Sequence, residues 1–385
     1  MSELGLIILA GGLSTRMGGR PKALLPWVNG ESLISHALRK GGLEADVKDI
    51  IISVGDDDRL GLAIQTHIID TLSNNEKERV SIVRDSVKRC GPLGGLYSAL
   101  SVGASPAYAV MAVDMPFMDV SLYYEWLYKV DEDDWNAIVP IGCSGQREPM
   151  AGIYRPSIVP LLQAVIAGDD VSLRHAIDII GAVELIDAQD QSHALRNVNR
   201  FEDYQWARAL AENEFRRVPL ISVVASKRKT GKTTVVTRLV SELRQIGLSV
   251  GVVKSDKHGF QMDHEGTDTD LAYKAGGADA VAIAGPTETA IRIRTKEQSN
   301  LYEISQFMPV DIVILESRSQ GIAPIIEVTQ EGHTEAFISD SMDRVATIEI
   351  GKLDRDVPEL VRHIQEMMRS LDGRRYCRGG SPIMG

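Results

Sequence analysis

The sequence predicts an α/β protein of two domains, each built around a mainly parallel sheet. Three observations predict it. Short apolar, β-branched runs alternate with helix-period stretches along the chain. The alternation breaks at Pro219 and restarts with a fresh buried-strand run, LISVVAS. At 385 residues the chain is long for one domain, and each half is large enough to bury a core of its own.

In the first half, strands are expected at Leu6–Leu9, Asp49–Val54, Val80–Val83, Tyr108–Val113 and Ala137–Pro140. The stretches SLISHALRKGGL and LGGLYSALSVG between them carry helical spacing. MAGIYRP and AVELIDA read as later strands, and FEDYQWARALAENEFRR as a long closing helix. In the second half LISVVAS leads into KTTVVTRLVSELRQIG. Its residues Val235, Val236, Leu239, Val240, Leu243 and Ile246 fall on one helical face, and Gly247 supplies a stop. SVGVVK and VDIVILES read as further strands. The expected domains are residues 1–215 and 216–370. Residues 371–385, LDGRRYCRGGSPIMG, are basic at first, Gly-rich and aperiodic, and are expected to form a flexible tail.

The formal charge is −11, from 42 Lys+Arg against 53 Asp+Glu. Such a balance argues against nucleic acid or an anionic membrane surface as partner. Three scattered cysteines, Cys90, Cys143 and Cys377, form no CxxC pattern and no disulfide framework, which points to a reducing compartment. The first apolar run, LGLIILAGG, is too short for a signal segment, and no stretch is long enough to span a bilayer. A cytoplasmic protein is expected.

Two glycine-rich basic loops carry the chemistry. The first, LAGGLSTRMGGRPK (Leu9–Lys22), follows directly on an apolar strand. Leu9, Ala10, Gly11 and Gly12 offer main-chain groups to a nucleotide, and the small side chains permit close approach. Arg16 and Lys22 add fixed cations, suited to charge that grows on a leaving pyrophosphate. Asp114 ends the apolar run AYAVMAVD, at the strand edge where α/β folds bind ligands. A carboxylate there suits Mg²⁺, with a turn or helix-cap role as the alternative.

These residues carry a resemblance. The pattern LAGGxSxRMGGxxK resembles the signature of MobA-type molybdenum cofactor guanylyltransferases. CGPLGGL (Cys90–Leu96), VDMPF (Val113–Phe117), REPMAGIY (Arg147–Tyr154) and NVNRFEDY (Asn197–Tyr204) resemble that family's later motifs in the same order, over roughly residues 4–210. The resemblance implies a nucleotidyltransferase-type Rossmann-like sheet with helices on both faces. It also implies that Ser53 and Asp85 touch the nucleotide. Arg147, Pro149, Asn197 and Asn199 would face the pterin. The implied substrates are GTP and molybdopterin bearing Mo or W. Pro21 stands where many relatives carry Asp, and LAGG rather than LAAG favours guanine over cytosine by resemblance.

The second loop reads Ser-Lys-Arg-Lys-Thr-Gly-Lys-Thr over residues 226–233, close to the P-loop pattern GxxxxGK[ST]. Ser226 replaces the first Gly, while Thr230, Gly231, Lys232, Thr233 and Thr234 remain. A buried strand before it and an amphipathic helix after it would aim amide groups at a phosphate. Lys232 would reach phosphate oxygens and Thr233 would hold Mg²⁺. Residues 219–350 resemble MobB-type adaptor proteins, a P-loop NTPase family. This implies that Glu316 is the Walker-B-like acid, with Ser317 in place of Gly. Lys227, Arg228 and Lys229 stand where relatives carry small residues; a solvated basic turn and an anion site are both open. His258 reads as a surface or cap residue rather than a ligand.

The expected function is therefore transfer of GMP from GTP to molybdopterin, with a fused GTP-binding domain. Molybdenum insertion proteins and apo-molybdoenzymes are the implied partners. A cytidylyl- or sugar-phosphate nucleotidyltransferase, and a cofactor carrier with weak catalysis, stand as alternatives.

Overall fold

The computed structural model describes residues 4–11, 21–44, 47–130, 134–191, 193–227, 230–254, 264–295, 299–317, 321–330, 332 and 336–377, with side chains to residue 372. The chain divides into two compact units, Met1–Arg208 and Ala209–Gly385.

The first unit runs β1 (Leu4–Leu9), α1 (Leu33–Leu38), β2 (Ile50–Ser53), α2 (Asp58–His67), α3 (Asn74–Arg79), β3 (Val80–Val83), α4 (Gly91–Val102), β4 (Ala107–Ala112), α5 (Val120–Lys129), β5 (Ala137–Ile141), β6 (Ile153–Tyr154), α6 (Val159–Ile166), α7 (Leu173–Ile180), β7 (Val183–Asp187) and α8 (Phe201–Glu214). Its strands form one sheet in the order β3-β2-β1-β4-β6-β5-β7. Every pairing is parallel except those of β6, which lies antiparallel to β4 and β5. The strand expected across MAGIYRP shrinks to two residues. Pro149–Ala151 coil into a 3-10 turn, and Pro156 opens another turn just after it. Proline has no N–H to give a ladder.

The central strands β1 and β4 are apolar and buried from end to end because both sheet faces are covered there, whereas the edge strands β3 and β7 carry Ser81, Glu184 and Asp187. Ile7, Leu9, Ile51, Tyr108, Val110, Ala137 and Val139 pack with Leu93, Leu96 and Leu100 of α4, Leu162 and Val165 of α6, and Ile177 and Ile180 of α7. The alternate residues Leu6, Ile8, Ile50, Ile52, Ala109 and Met111 are buried as well. On their side the turn Arg39–Leu43 comes so close that a Cβ on Gly41 would lie 2.8 Å from Leu6 Cδ2. Several helices start at side-chain caps. Ser32 accepts from Ser35 N–H, Asp57 from Arg59 and Leu60, and Asp119 from Ser121.

The second unit takes in the end of α8 and continues with β8 (Leu220–Val224), α9 (Lys232–Gln245), β9 (Val250–Lys254), α10 (Asp268–Lys274), β10 (Ala280–Ala284), β11 (Thr289–Ile293), α11 (Leu301–Phe307), β12 (Ile312–Glu316), β13 (Ile325–Thr329), β14 (Arg344–Glu349) and α12 (Leu353–Cys377). The sheet β14-β13-β8-β12-β9 is wholly parallel. β10 and β11 form a separate antiparallel pair. Among the described residues no helix is long and apolar enough to cross a membrane.

Three details depart from the sequence reading. The seam between units falls within α8, because its last turns engage β8: Asn213 Oδ1 accepts from Leu220 N–H at 2.9 Å. Ile246 is 39% exposed rather than part of the α9 stripe. The helix ends at Gln245, and Gly247 turns the chain at φ +91°. Finally, α12 carries the first part of the expected tail in helix as far as Cys377.

Candidate functional site

In the first unit the carboxyl ends of β1, β2, β3 and β4 share one sheet edge, the place where doubly wound folds bind ligands. Leu9, Ala10 and Gly11 leave β1 there. The amides of Ala10 and Gly11 both donate to the Ser53 carbonyl, at 2.8 and 3.1 Å. These two amides therefore tie the end of β1 to β2. Gly11 also has a packing reason to be small. A Cβ there would lie 2.6 Å from Gly55 N and 2.9 Å from the Val54 carbonyl carbon. Gly12 and Arg16 lie outside the described residues.

Asp114 sits in the turn after β4. Its Oδ2 accepts from Lys22 Nζ at 2.9 Å. The same Lys22 nitrogen donates to Asn199 Oδ1 at 3.2 Å. The segment bearing Asn199 is docked on this turn, since Val198 N–H donates to the Asp114 carbonyl at 2.8 Å. Three residues far apart in sequence thus converge. Asp114 Oδ1 is buried and has no hydrogen-bond partner among the described residues. A buried carboxylate oxygen left open is costly unless something cationic fills it. The residues present fit a hard divalent cation. The side chain caps no helix, while Asp114 itself does lie in a turn.

Ser53 and Asp85 form a second cluster at the ends of β2 and β3. Ser53 Oγ donates to Asp85 Oδ1 at 3.1 Å, and the Asp85 amide is held by the Gly55 carbonyl at 2.9 Å. Burial pushes the Asp85 carboxyl above the usual carboxylate range; the Ser53 hydroxyl opposes this and the nearby Asp56 charge adds to it.

The four residues expected on the pterin side divide. Asn199 joins Lys22 and Asp114, and Asn197 carries a buried Oδ1 with no partner among the described residues. Arg147 instead donates to Asp178 on α7 at 2.7 Å. Pro149 is buried, and its carbonyl accepts from the buried Tyr154 hydroxyl at 2.7 Å.

In the second unit β8 leads through Ser226 and Lys227, both exposed, to Thr230 and Gly231. Thr230 Oγ1 donates to the Lys227 carbonyl at 2.6 Å. Gly231 caps α9 at φ +88°, and a Cβ there would collide with Ile350. Lys232 is buried at the first position of α9; Thr233 and Thr234 are exposed. Glu316 ends β12, in register with Val223 of β8, so the acid lies beside the loop. Thr233 Oγ1 donates to Glu316 Oε1 at 3.4 Å. Arg228, Lys229 and His258 lie outside the described residues.

Comparison with known proteins finds matches to both halves of the chain. Residues 6–184 match the family of MobA-like NTP transferase domains. The molybdenum cofactor guanylyltransferase of Pseudomonas putida is 30% identical over 200 residues, which span 52% of this chain and 95% of that protein. The chain belongs to the molybdenum cofactor guanylyltransferase family. The guanylyltransferase of Pseudomonas entomophila is 28% identical over 200 residues, 50% of this chain and 92% of that protein. Residues 220–349 match molybdopterin guanine dinucleotide synthesis protein B, so a MobB domain is fused to the guanylyltransferase half. A solved MobB protein homolog from Bacillus stearothermophilus is 16% identical, covering 38% of this chain and 98% of that one, with a TM-score of 0.28.

Two contacts at these candidate sites fall on residues to which the sequence reading gave no role. A Cβ on Gly95 of α4 would lie 2.7 Å from Ser53 Oγ, and one on Gly94 would lie 3.2 Å from Asp85 Oδ2. The glycine pair at the start of α4 thus makes room for the Ser53–Asp85 cluster; the pair itself was the available signal. In the MobB domain, Lys254 closes β9 with Nζ 3.9 Å from Glu316 Oε1. A cation at a strand end beside the acid-bearing strand could have been read from the order of elements, once the sheet order was known.

Proposed function

We infer that this chain transfers GMP from GTP to the phosphate of molybdopterin. A phosphate oxygen of molybdopterin attacks the α-phosphorus of GTP and a new P–O bond forms. The bond from that phosphorus to the bridging oxygen breaks. Pyrophosphate leaves with the electron pair, and molybdopterin guanine dinucleotide remains. The observation that carries this reading is the open, buried Oδ1 of Asp114 beside Lys22 and Asn199.

The chain's own residues supply position and charge. Lys22 holds Asp114 in one orientation and brings a cation to the phosphates, with Arg16 assigned beside it on the same loop. Leu9, Ala10, Gly11 and Gly12, with Ser53 and Asp85, form the nucleotide side. Asn197 and Asn199 lie toward the acceptor; Arg147 and Pro149 would have to leave their present partners to do so. Asp114 is the residue that would hold Mg²⁺, which when bound offsets charge on the triphosphate. In the MobB domain, Thr233 and Glu316 would hold a second Mg²⁺, and Lys232 would grip GTP. That domain is read as a nucleotide holder that couples occupancy to cofactor delivery. Its partners would be molybdenum insertion proteins and apo-molybdoenzymes in the cytoplasm.

The test is Asp114→Ala, incubated with molybdopterin cofactor, Mg²⁺ and labelled GTP. Dinucleotide formation should fall by about 10²–10³ while the variant stays folded. Full turnover by the folded variant would overturn the assignment.

A further inference from the structure

The turn that carries Asp114 is held from behind by a histidine that no motif includes. Main-chain bonds tie this turn at almost every residue. Val113 N–H donates to the Leu9 carbonyl at 3.0 Å, Met115 N–H to the Ala112 carbonyl at 3.0 Å, and Met118 N–H to the Met115 carbonyl at 3.1 Å. The Asp114 carbonyl is taken by Val198. Pro116 has no N–H, so its carbonyl is the only main-chain group by which it can be held. That carbonyl lies 2.9 Å from Nε2 of His36, on α1.

His36 is only 9% exposed, and its ring packs on Trp27 at 5.6 Å between centroids. A carbonyl can only accept, so Nε2 must carry a proton in this arrangement. The other ring nitrogen faces two charged groups. Arg39 Nη2 lies 3.2 Å from Nδ1 and can only donate, while Glu31 Oε2 lies 3.2 Å from Nδ1 and can only accept. Arg39 is itself clamped by Glu31 through two bonds, of 2.6 and 2.9 Å, and reaches Glu44 at 3.1 Å. With Arg39 donating, the ring is neutral and protonated at Nε2. With Nδ1 donating to Glu31, the ring is cationic and still protonated at Nε2. Either way the bond to Pro116 survives. Burial holds the His36 pKa below its ordinary value, which favours the neutral form at neutral pH.

We propose that His36 is a positioning residue for nucleotidyl transfer: its Nε2–H fixes the Pro116 carbonyl, and so sets the direction in which Asp114 presents its open oxygen to the metal. The inference rests on the reading of Asp114 given under Proposed function. Outer partners that orient a ligand typically change metal affinity or activity by about 10–100-fold when removed.

Two variants separate positioning from packing. His36→Leu keeps an apolar side chain in the pocket but removes the donor. His36→Gln restores an amide donor at a similar reach. Three quantities are measured on the full chain: thermal melting, the Mg²⁺ concentration for half-maximal pyrophosphate release from GTP in the presence of molybdopterin cofactor as acceptor, and hydrogen exchange at the Met115 and Val198 amides. His36→Leu should melt as a folded protein yet need about tenfold more Mg²⁺ or more, with faster exchange at both amides. The KM for GTP at saturating Mg²⁺ should stay near wild type, and His36→Gln should recover most of the loss. Should His36→Leu not fold, His36→Asn, too short to reach Pro116, takes its place with the same expectations. An unchanged Mg²⁺ requirement in the folded donor-less variant would overturn the proposal, as would a folded His36→Gln no better than it. If the wild-type chain itself shows no magnesium-dependent release, the reading of Asp114 fails, and this inference with it.

Discussion

At the scale of single residues, Asp85 shows how a site can stand against stability. Its carboxyl is raised above its ordinary pKa, chiefly by burial. A raised acid favours the folded state when protonated, and this advantage is lost as pH rises through the folded-state pKa. At neutral pH the ionised group therefore weakens the fold. Asp85→Asn should leave the melting temperature at pH 7 unchanged or higher, with any gain shrinking as pH falls through the raised folded-state pKa. If Asp85 contacts GTP as proposed, the same variant should bind GTP about 10–100-fold more weakly, the loss expected for a hydrogen bond to a charged group. Melting curves across pH and a GTP titration check both halves. Asp114 is the contrasting residue. Its Oδ2 is satisfied by Lys22, while its Oδ1 has no hydrogen-bond partner among the described residues, the asymmetry on which its proposed metal role rests.

Elements bring a different set of predictions. Strand β13 carries Glu327, only 1% exposed. Burial works to raise its pKa. Against this, Ser339 Oγ, the Ile338 and Ser339 amides and Arg344 hold the carboxylate, and the net shift is downward. A lowered acid contributes stability that is present above the unfolded-state pKa and is lost as pH falls through the folded-state value. Glu327→Gln should therefore speed hydrogen exchange at the Ile338 and Ser339 amides at pH 7. The difference from wild type should narrow in acid. The expected loss is about 1–3 kcal/mol, that of a buried charged hydrogen-bond network with one member changed. The turn into α9 makes a sharper demand. Gly231 lies in the left-handed region, and a Cβ there would strike Ile350. Gly231→Ala should destabilise the second unit and weaken GTP binding to it, while pyrophosphate release from the first unit persists. Loss of both together would contradict separate sites.

For the whole molecule, two nucleotide sites on two units should be separable. Lys232→Ala should lower the GTP stoichiometry measured by equilibrium dialysis from two per chain to one, and leave dinucleotide formation in place. If GTP hydrolysis is also present and vanishes in this variant, the MobB domain works as a GTPase. Saturable binding without hydrolysis supports the holder reading.

Much of this was legible in the chain because its signals are local. Apolar runs ending in LAGG, in VD and in VVAS marked three strand ends, and the Gly231-Lys232-Thr233 triplet marked a strand-to-helix turn. The alternation of runs determined two α/β domains, and the ordered motifs determined the resemblance to guanylyltransferases and to MobB. What the fold alone decided depends on approach through space. Only the sheet order puts Glu316 beside the Thr233 loop, and only the docking of Val198 on Asp114 brings Asn199 to Lys22. Arg147 drew the same attention in sequence, yet an ion pair with Asp178 turns it to α7. Gly11 is a glycine in the first loop's sequence pattern, and only the fold shows that the backbone of Val54 and Gly55 also requires it to be small. His36 had no motif at all, since a donor that fixes a carbonyl is distinguished only by what it touches. Sequence determined which residues could do chemistry, through the spacing of the two loops and through the family resemblance of the later motifs. Tertiary structure decided which of them meet, because hydrogen bonds and steric limits act over a few ångströms and take no account of distance along the chain.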